Sequence, residues 1–155
     1  MDTKEAKKIL YGYAGLKMAV QNDMDRIRRA ENDALIPALK MGDGSKSTGG
    51  SGDRQENAVL RWMDVKERLM PGISEKVSRM REIEDAINSL SDSFEQIVLT
   101  KRYIEVDGYY HPTWKDIAKA IYHSDEERAE RAVTRLHGRA LVSIADALDK
   151  KESHL

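Results

Sequence analysis

The sequence contains no cysteine, so disulfides, thiolate metal sites and cysteine nucleophiles are all excluded. Only three prolines interrupt its 155 residues, and the ten glycines fall largely in one stretch, which leaves long segments with few helix breakers. Aromatic residues are scarce, with six Tyr, two Trp and one Phe, while charged residues reach 34%. That balance suits exposed helices rather than a thick globular core. No apolar run approaches the roughly 20 residues of a membrane helix, and Met1-Asp-Thr-Lys-Glu-Ala-Lys-Lys lacks the apolar centre of a signal peptide. The expected setting is therefore the cytoplasm, without membrane contact. Strong charge of one sign is also missing: the net charge is −1, so any nucleic-acid contact must come from local segregation of charge.

What is present is helical periodicity. Ile9, Tyr13, Leu16, Val20, Met24 and Ile27 recur at spacings of three and four, predicting an amphipathic helix over residues 3–41 that Pro37 kinks or ends early. The Gly/Ser stretch at residues 42–53 reads as a flexible linker. The period then returns at Trp62, Val65, Leu69, Ile73, Val77, Met80, Ile83, Ile87 and Leu90, predicting a second helix over 54–90 with a break at Pro71-Gly72. Two long amphipathic helices joined by such a linker are expected to pack as an antiparallel, coiled-coil-like hairpin over residues 1–90. Its core is thin, which makes a second copy of the chain or another protein a candidate partner.

Residues 91–150 carry three shorter helical patterns. The first opens at Asp92-Ser-Phe-Glu95, a capping-box spacing, points Phe94, Ile97, Val98 and Ile104 inward, and stops at Asp107-Gly108. The second opens at Thr113-Trp-Lys-Asp116 and aligns Trp114, Ile117, Ala118 and Ile121. The third opens at Ser124-Asp-Glu-Glu127 and continues to residue 149. On this last helix Ala129, Val133, Leu136, Ala140 and Ile144 form an apolar sector, and Arg128, Arg131, Arg135 and Arg139 form a second sector roughly 135° away. An arginine row of this kind suits the major groove, because guanidinium groups chelate phosphates or take guanine edges through paired hydrogen bonds. Taken alone, four arginines on one face are better explained as a solvated surface held by pairs such as Glu127 with Arg131. Lys115 and Lys119 add candidate phosphate contacts from the preceding helix.

Leu99-Thr-Lys-Arg-Tyr-Ile104, Trp114-Lys-Asp-Ile-Ala118 and Arg135-Leu-His-Gly-Arg-Ala-Leu141 together resemble the fourth region of sigma factors. They are still closer to the small phage-encoded transcription regulators of the ArpU and sigma-like type, a likeness that Lys4-Glu-Ala-Lys-Lys-Ile-Leu10 and the paired long helices extend over most of the chain. The resemblance implies an all-α fold in which a C-terminal three-helix helix-turn-helix domain follows the hairpin. It further implies a positioning helix over Trp114 to Ile121, a recognition helix capped by Ser124, and Arg128, Arg131 and Arg135 facing DNA. The candidate DNA-binding residues are Lys115, Lys119, Ser124, Arg128, Arg131, Thr134, Arg135 and Arg139. The sequence departs from the family pattern between Ser124 and Arg135, where an insertion longer than one helical turn holds Asp125, Glu126, Glu127 and Glu130. Acids there repel phosphates, so either the recognition helix starts after Ser124 or its first turn points away from DNA.

The histidines, His111, His123, His137 and His154, lack metal-ligand spacing, and no nucleophile elbow, phosphate-binding glycine loop or paired-carboxylate motif occurs. No cofactor and no enzymatic activity are expected. Trp62 and Trp114 sit on apolar stripes and read as core; Tyr109 and Tyr110 read as packing within a turn, with stacking on single-stranded nucleic acid as the sharper alternative. The expected function is phage or prophage transcription regulation at promoters in the bacterial host cytoplasm, with double-stranded DNA as partner and RNA polymerase as a second. The alternative is a helical interaction protein, an RNA-polymerase-binding factor or packaging adaptor, with little DNA binding of its own.

Overall fold

The structure is a computed structural model that describes residues 1–40 and 51–154. Among these residues the chain is all-helical, with five α-helices and one π-helical turn: α1 (Thr3–Lys40), α2 (Ser51–Asn88), α3 (Ser93–Leu99), the π turn (Thr100–Ile104), α4 (Trp114–Tyr122) and α5 (Glu127–Glu152). Most of the expected linker lies outside the described residues. Its last part does not: Ser51 to Asp53 form the first turn of α2, where the Asp53 carboxylate meets the positive end of the helix.

Neither long helix ends at its proline. α1 continues past residue 37 to Lys40, and α2 runs unbroken through Pro71. A proline inside a helix costs about 3 kcal/mol. Here it is exposed, while Leu69 and Ile73 on either side keep the apolar stripe in phase, and Ile73 is buried. Burial of that stripe offsets the missing hydrogen bond.

Contacts divide the chain into two units, Met1–Met18 with Ser78–Leu155, and Ala19–Val77, so the grouping changes within the long helices rather than near residue 90. In the second unit Ile27, Ala30, Ala34 and Ile73 are buried, and Lys76 bridges Asp23 at 3.2 Å. Met24, expected on the inward stripe, is exposed.

The first unit has a contiguous core. Ala6, Leu10 and Tyr13 of α1 and Ile83, Ala86, Ile87 and Leu90 of α2 meet Val98, Leu99 and Tyr103, then Ile117 and Ala118 of α4, and finally Val133, Leu136, Ala140 and Ile144 of α5. The inward face of α1 is thus carried by Ala6, Leu10, Tyr13 and Ala14, small residues among them, while Ile9 and Leu16 flank it half-buried. Polar ties fix the rim of this core: Tyr13 donates to Glu84, the chain's amino group pairs with Asp149, and Lys151 reaches Asp85 at 3.6 Å.

Asp92 caps α3 as its sequence predicts, its carboxylate accepting from Phe94 N at 2.8 Å and Glu95 N at 3.4 Å. The inward residues differ from expectation, since Phe94 and Ile97 are exposed whereas Val98, Leu99 and Tyr103 are fully buried. α3 turns Glu95, Val98 and Leu99 inward instead, one residue on from the expected set, and the π turn that follows, closed by Glu105 N–H on the Thr100 carbonyl at 2.9 Å, carries Tyr103 into the same core.

Candidate nucleic-acid interface

The helix pair α4–α5 forms the candidate surface. Thr113 caps α4 in a complete capping box: its hydroxyl accepts from Asp116 N at 3.2 Å, and the Asp116 carboxylate accepts from Thr113 N at 3.1 Å. Hydrogen bonding to Thr113 holds the Asp116 carboxyl below its ordinary 3.8. Ile117 and Ala118 are buried, and Trp114 and Ile121 pack half-buried against them. At the other end His123 adopts the left-handed conformation, φ 55° and ψ 28°, and its N–H donates to the Lys119 carbonyl at 3.1 Å. Glycine usually fills this place; histidine is among the few other residues that enter the left-handed region readily.

Only four residues, His123 to Glu126, separate α4 from α5. Ser124 does not cap α5, contrary to expectation. Its hydroxyl accepts from Glu126 N at 3.3 Å, a local turn, and the helix begins at Glu127 with Glu126 in the cap position. α5 therefore starts after Ser124. Glu127 and Glu130 occupy its first turn and Lys150 and Lys151 its last, each charge complementing the helix dipole. These acids have a helix-stabilising role that requires no ligand.

The four arginines of α5 lie where the angular reading put them. Val133, Leu136, His137, Ala140 and Ile144 are buried; Arg128, Arg131, Arg135 and Arg139 are exposed in a sector about 80° wide on the opposite side. Among the described residues no ion pair engages any of the four, and Glu127 does not pair with Arg131. Thr134 is exposed, its hydroxyl donating to the Arg131 carbonyl at 2.9 Å. Lys115 and Lys119 are exposed one turn apart on α4. Ser124 is half-buried in the connection, away from the helix cap it was expected to provide.

An aromatic and cationic cluster behind this surface was not anticipated. The Arg102 guanidinium stands 4.4 Å over the Trp114 ring, donates to the Pro112 carbonyl, and reaches the Tyr11 hydroxyl at 3.3 Å. His111 Nδ1 lies 2.8 Å from the Arg102 carbonyl oxygen, and Trp114 packs on His137 with ring centroids 4.5 Å apart. The cluster ties the start of α4 to α1, the π turn and α5. Its sequence signal is faint, because only Trp114 sits on a periodic stripe.

Tyr109 and Tyr110 correct a second expectation. They do not pack within their turn; they are 70% and 62% exposed. Gly108 at φ +60° permits the tight Asp107–Tyr110 reversal, which Tyr110 N closes on the Asp107 carbonyl at 3.0 Å.

Elsewhere in this unit an open groove of about 1350 Å³ is lined by apolar Ile9, Leu16, Ile83 and Leu90 together with charged residues such as Glu82, Asp146 and Lys150. Among the described residues no group of acidic or histidine side chains is arranged to hold a metal, and no helix is long and apolar enough to cross a membrane. No family model matches the chain, and neither a curated protein nor a solved structure matches it.

Proposed function

We propose that this chain is a DNA-binding transcription regulator, of the phage or prophage type its sequence resembles, in which α4 and α5 act as the positioning and recognition helices of a sigma-like helix-turn-helix. The observation that carries the reading is the arginine row: four guanidinium groups exposed on one face of α5, opposite its buried face and without acidic partners among the described residues. From Arg128 to Arg139 the row extends about 16 Å along the helix axis, a length that fits within a major groove. The four-residue connection and the two packed helices it joins are supporting features. In this reading Lys115 and Lys119 grip phosphates, and the long helices of residues 1–90 form a hairpin that engages a second copy or RNA polymerase.

A second reading, a helical interaction protein with weak DNA contact, is favoured by two observations. Residues 92–155 hold ten Lys and Arg against twelve Asp and Glu, and the groove of mixed polar and apolar lining offers room for a protein segment.

A salt titration separates the two. Binding to a labelled promoter-length duplex should weaken steeply as salt rises, because each phosphate contact releases counterions. No duplex binding at low salt would sink the regulator reading in favour of the interaction protein.

A further inference from the structure

The most exposed large apolar side chains among the described residues are Tyr109 and Tyr110, and the arginine-row reading leaves them without a task. They are exposed on a fixed turn rather than a slack loop. Gly108 and the Tyr110–Asp107 hydrogen bond set its reversal, and the preceding Val106 is buried with its carbonyl accepting from Lys17 Nζ at 3.2 Å. The Tyr110 hydroxyl lies 3.4 Å from Asp116 Oδ2, which couples the turn to the first turn of α4, next to exposed Lys115.

We propose that the Asp107–Tyr110 turn is a second contact element for duplex DNA, with Tyr109 and Tyr110 laid against the sugar–phosphate backbone beside the phosphates held by Lys115. This rests on the DNA-binding reading of α4 and α5. Tyrosine suits the role because it fixes only two side-chain torsions and covers the sugar with its ring; with the Tyr110 hydroxyl held by Asp116, the Tyr109 hydroxyl is the one offered to phosphate oxygens. Neutrality matters at this position. Glu105, Asp107 and Asp116 surround the turn; Glu105 is paired with Lys101 at 2.9 Å and Asp116 is engaged by Thr113, but Asp107 is exposed. A phenol can contact phosphate from such a mixed-charge surface without adding to its charge. The partner is identified as DNA by continuity: the turn is tied to α4, and α4 carries Lys115 and Lys119 and packs on the helix that bears the arginines.

The test uses the full chain and a fluorescently labelled, mixed-sequence duplex at low ionic strength, with affinity followed across a salt series. Replacing both tyrosines, Tyr109→Ala with Tyr110→Ala, should weaken binding by about tenfold, the loss expected of two modest contacts. The slope of affinity against salt should stay at its wild-type value, because neutral side chains release no counterions; Arg131→Ala with Arg135→Ala should flatten it. Tyr109→Phe with Tyr110→Phe keeps the rings and should give an intermediate loss, which preserves the test should the alanine pair fail to fold. Wild-type affinity in the folded tyrosine variants, alongside weakened binding in the arginine pair, overturns this proposal and leaves the DNA-binding reading standing. A wild-type chain that does not bind the duplex overturns both.

Discussion

Tyr103 Oη and His137 Nε2 share a hydrogen bond of 2.7 Å in the core, joining the π turn to the helix that carries the arginine row. Both residues are buried, and the two rings lie 5.7 Å apart between centroids. Burial, reinforced by the positive charges of Lys7 and Arg102, pushes the His137 imidazole down from 6.5 to about 4. The neutral ring is therefore the native one.

An acid-limb prediction follows from that sign. Because the folded value is depressed, the unfolded chain binds the extra proton first, so the stability due to neutral His137 is complete above pH 6.5 and is lost as pH falls toward 4. Urea unfolding across that window should show a falling midpoint. His137→Gln, which cannot titrate, should flatten this limb while lowering stability at neutral pH; an unchanged pH dependence would remove His137 as its source.

Removing the partner tests the same bond from the other side. Tyr103→Phe keeps the ring and strands His137 Nε2 in the core, an expected cost of about 1–3 kcal/mol at neutral pH by chemical denaturation. If Tyr103→Phe were neutral, the bond would add nothing to the packing of the two rings.

The capping box of α4 gives a smaller, local effect. Thr113→Ala removes the hydroxyl that satisfies Asp116 N and should cost about 1 kcal/mol, read as a drop in melting temperature. It should also let the Asp116 carboxyl rise back toward 3.8, a shift visible by NMR titration. Stability linked to the Asp116 carboxylate is present above that value and lost below it, so in strong acid the gap between the wild-type and Thr113→Ala curves should narrow to what loss of the bond from Asp116 N costs.

Features of this local kind were the most legible in the sequence. Asp92 and Thr113 announce their helix starts because a cap depends on three or four neighbouring residues, and the buried face of α5 follows from a regular 100° step. Departures arise where a non-local contact decides. α3 buries Glu95, Val98 and Leu99 and leaves Phe94 and Ile97 outside, because the face it turns inward is chosen by the residues that meet it across the core and not by its own spacing. His137 is buried because Tyr103 and Trp114, far away in sequence, accept it. Pro71 is tolerated because the stripe on both sides is already held by tertiary packing. Ser124 has the spacing of a cap, yet α5 begins three residues later, after the His123 reversal.

For the arginine row, Arg131→Ala and Arg135→Ala should each weaken duplex binding and lower the salt slope by about 0.9 for each phosphate that is no longer neutralised. Both side chains are exposed without ionic partners among the described residues, so melting temperature and helix content should stay at wild-type values. Undiminished affinity in both variants would dispose of the proposed DNA face.

Gly138 offers a prediction in which stability and binding move in opposite directions. It sits in the interior of the 26-residue α5, and a Cβ there would meet nothing within 4 Å, so no packing within the chain demands glycine. An interior helical glycine costs roughly 0.5–1 kcal/mol relative to alanine, and Gly138→Ala should raise the melting temperature accordingly. By the 100° step Gly138 falls about 20° from Arg131 and about 60° from Arg135, inside or beside the basic sector. A methyl group there holds the helix backbone away from anything the arginines grip. On the proposed function Gly138→Ala should therefore bind duplex DNA a few-fold more weakly than wild type, despite being more stable. A variant that gains stability and keeps full affinity would place the contacted strip of α5 on the Arg128 and Arg139 side instead.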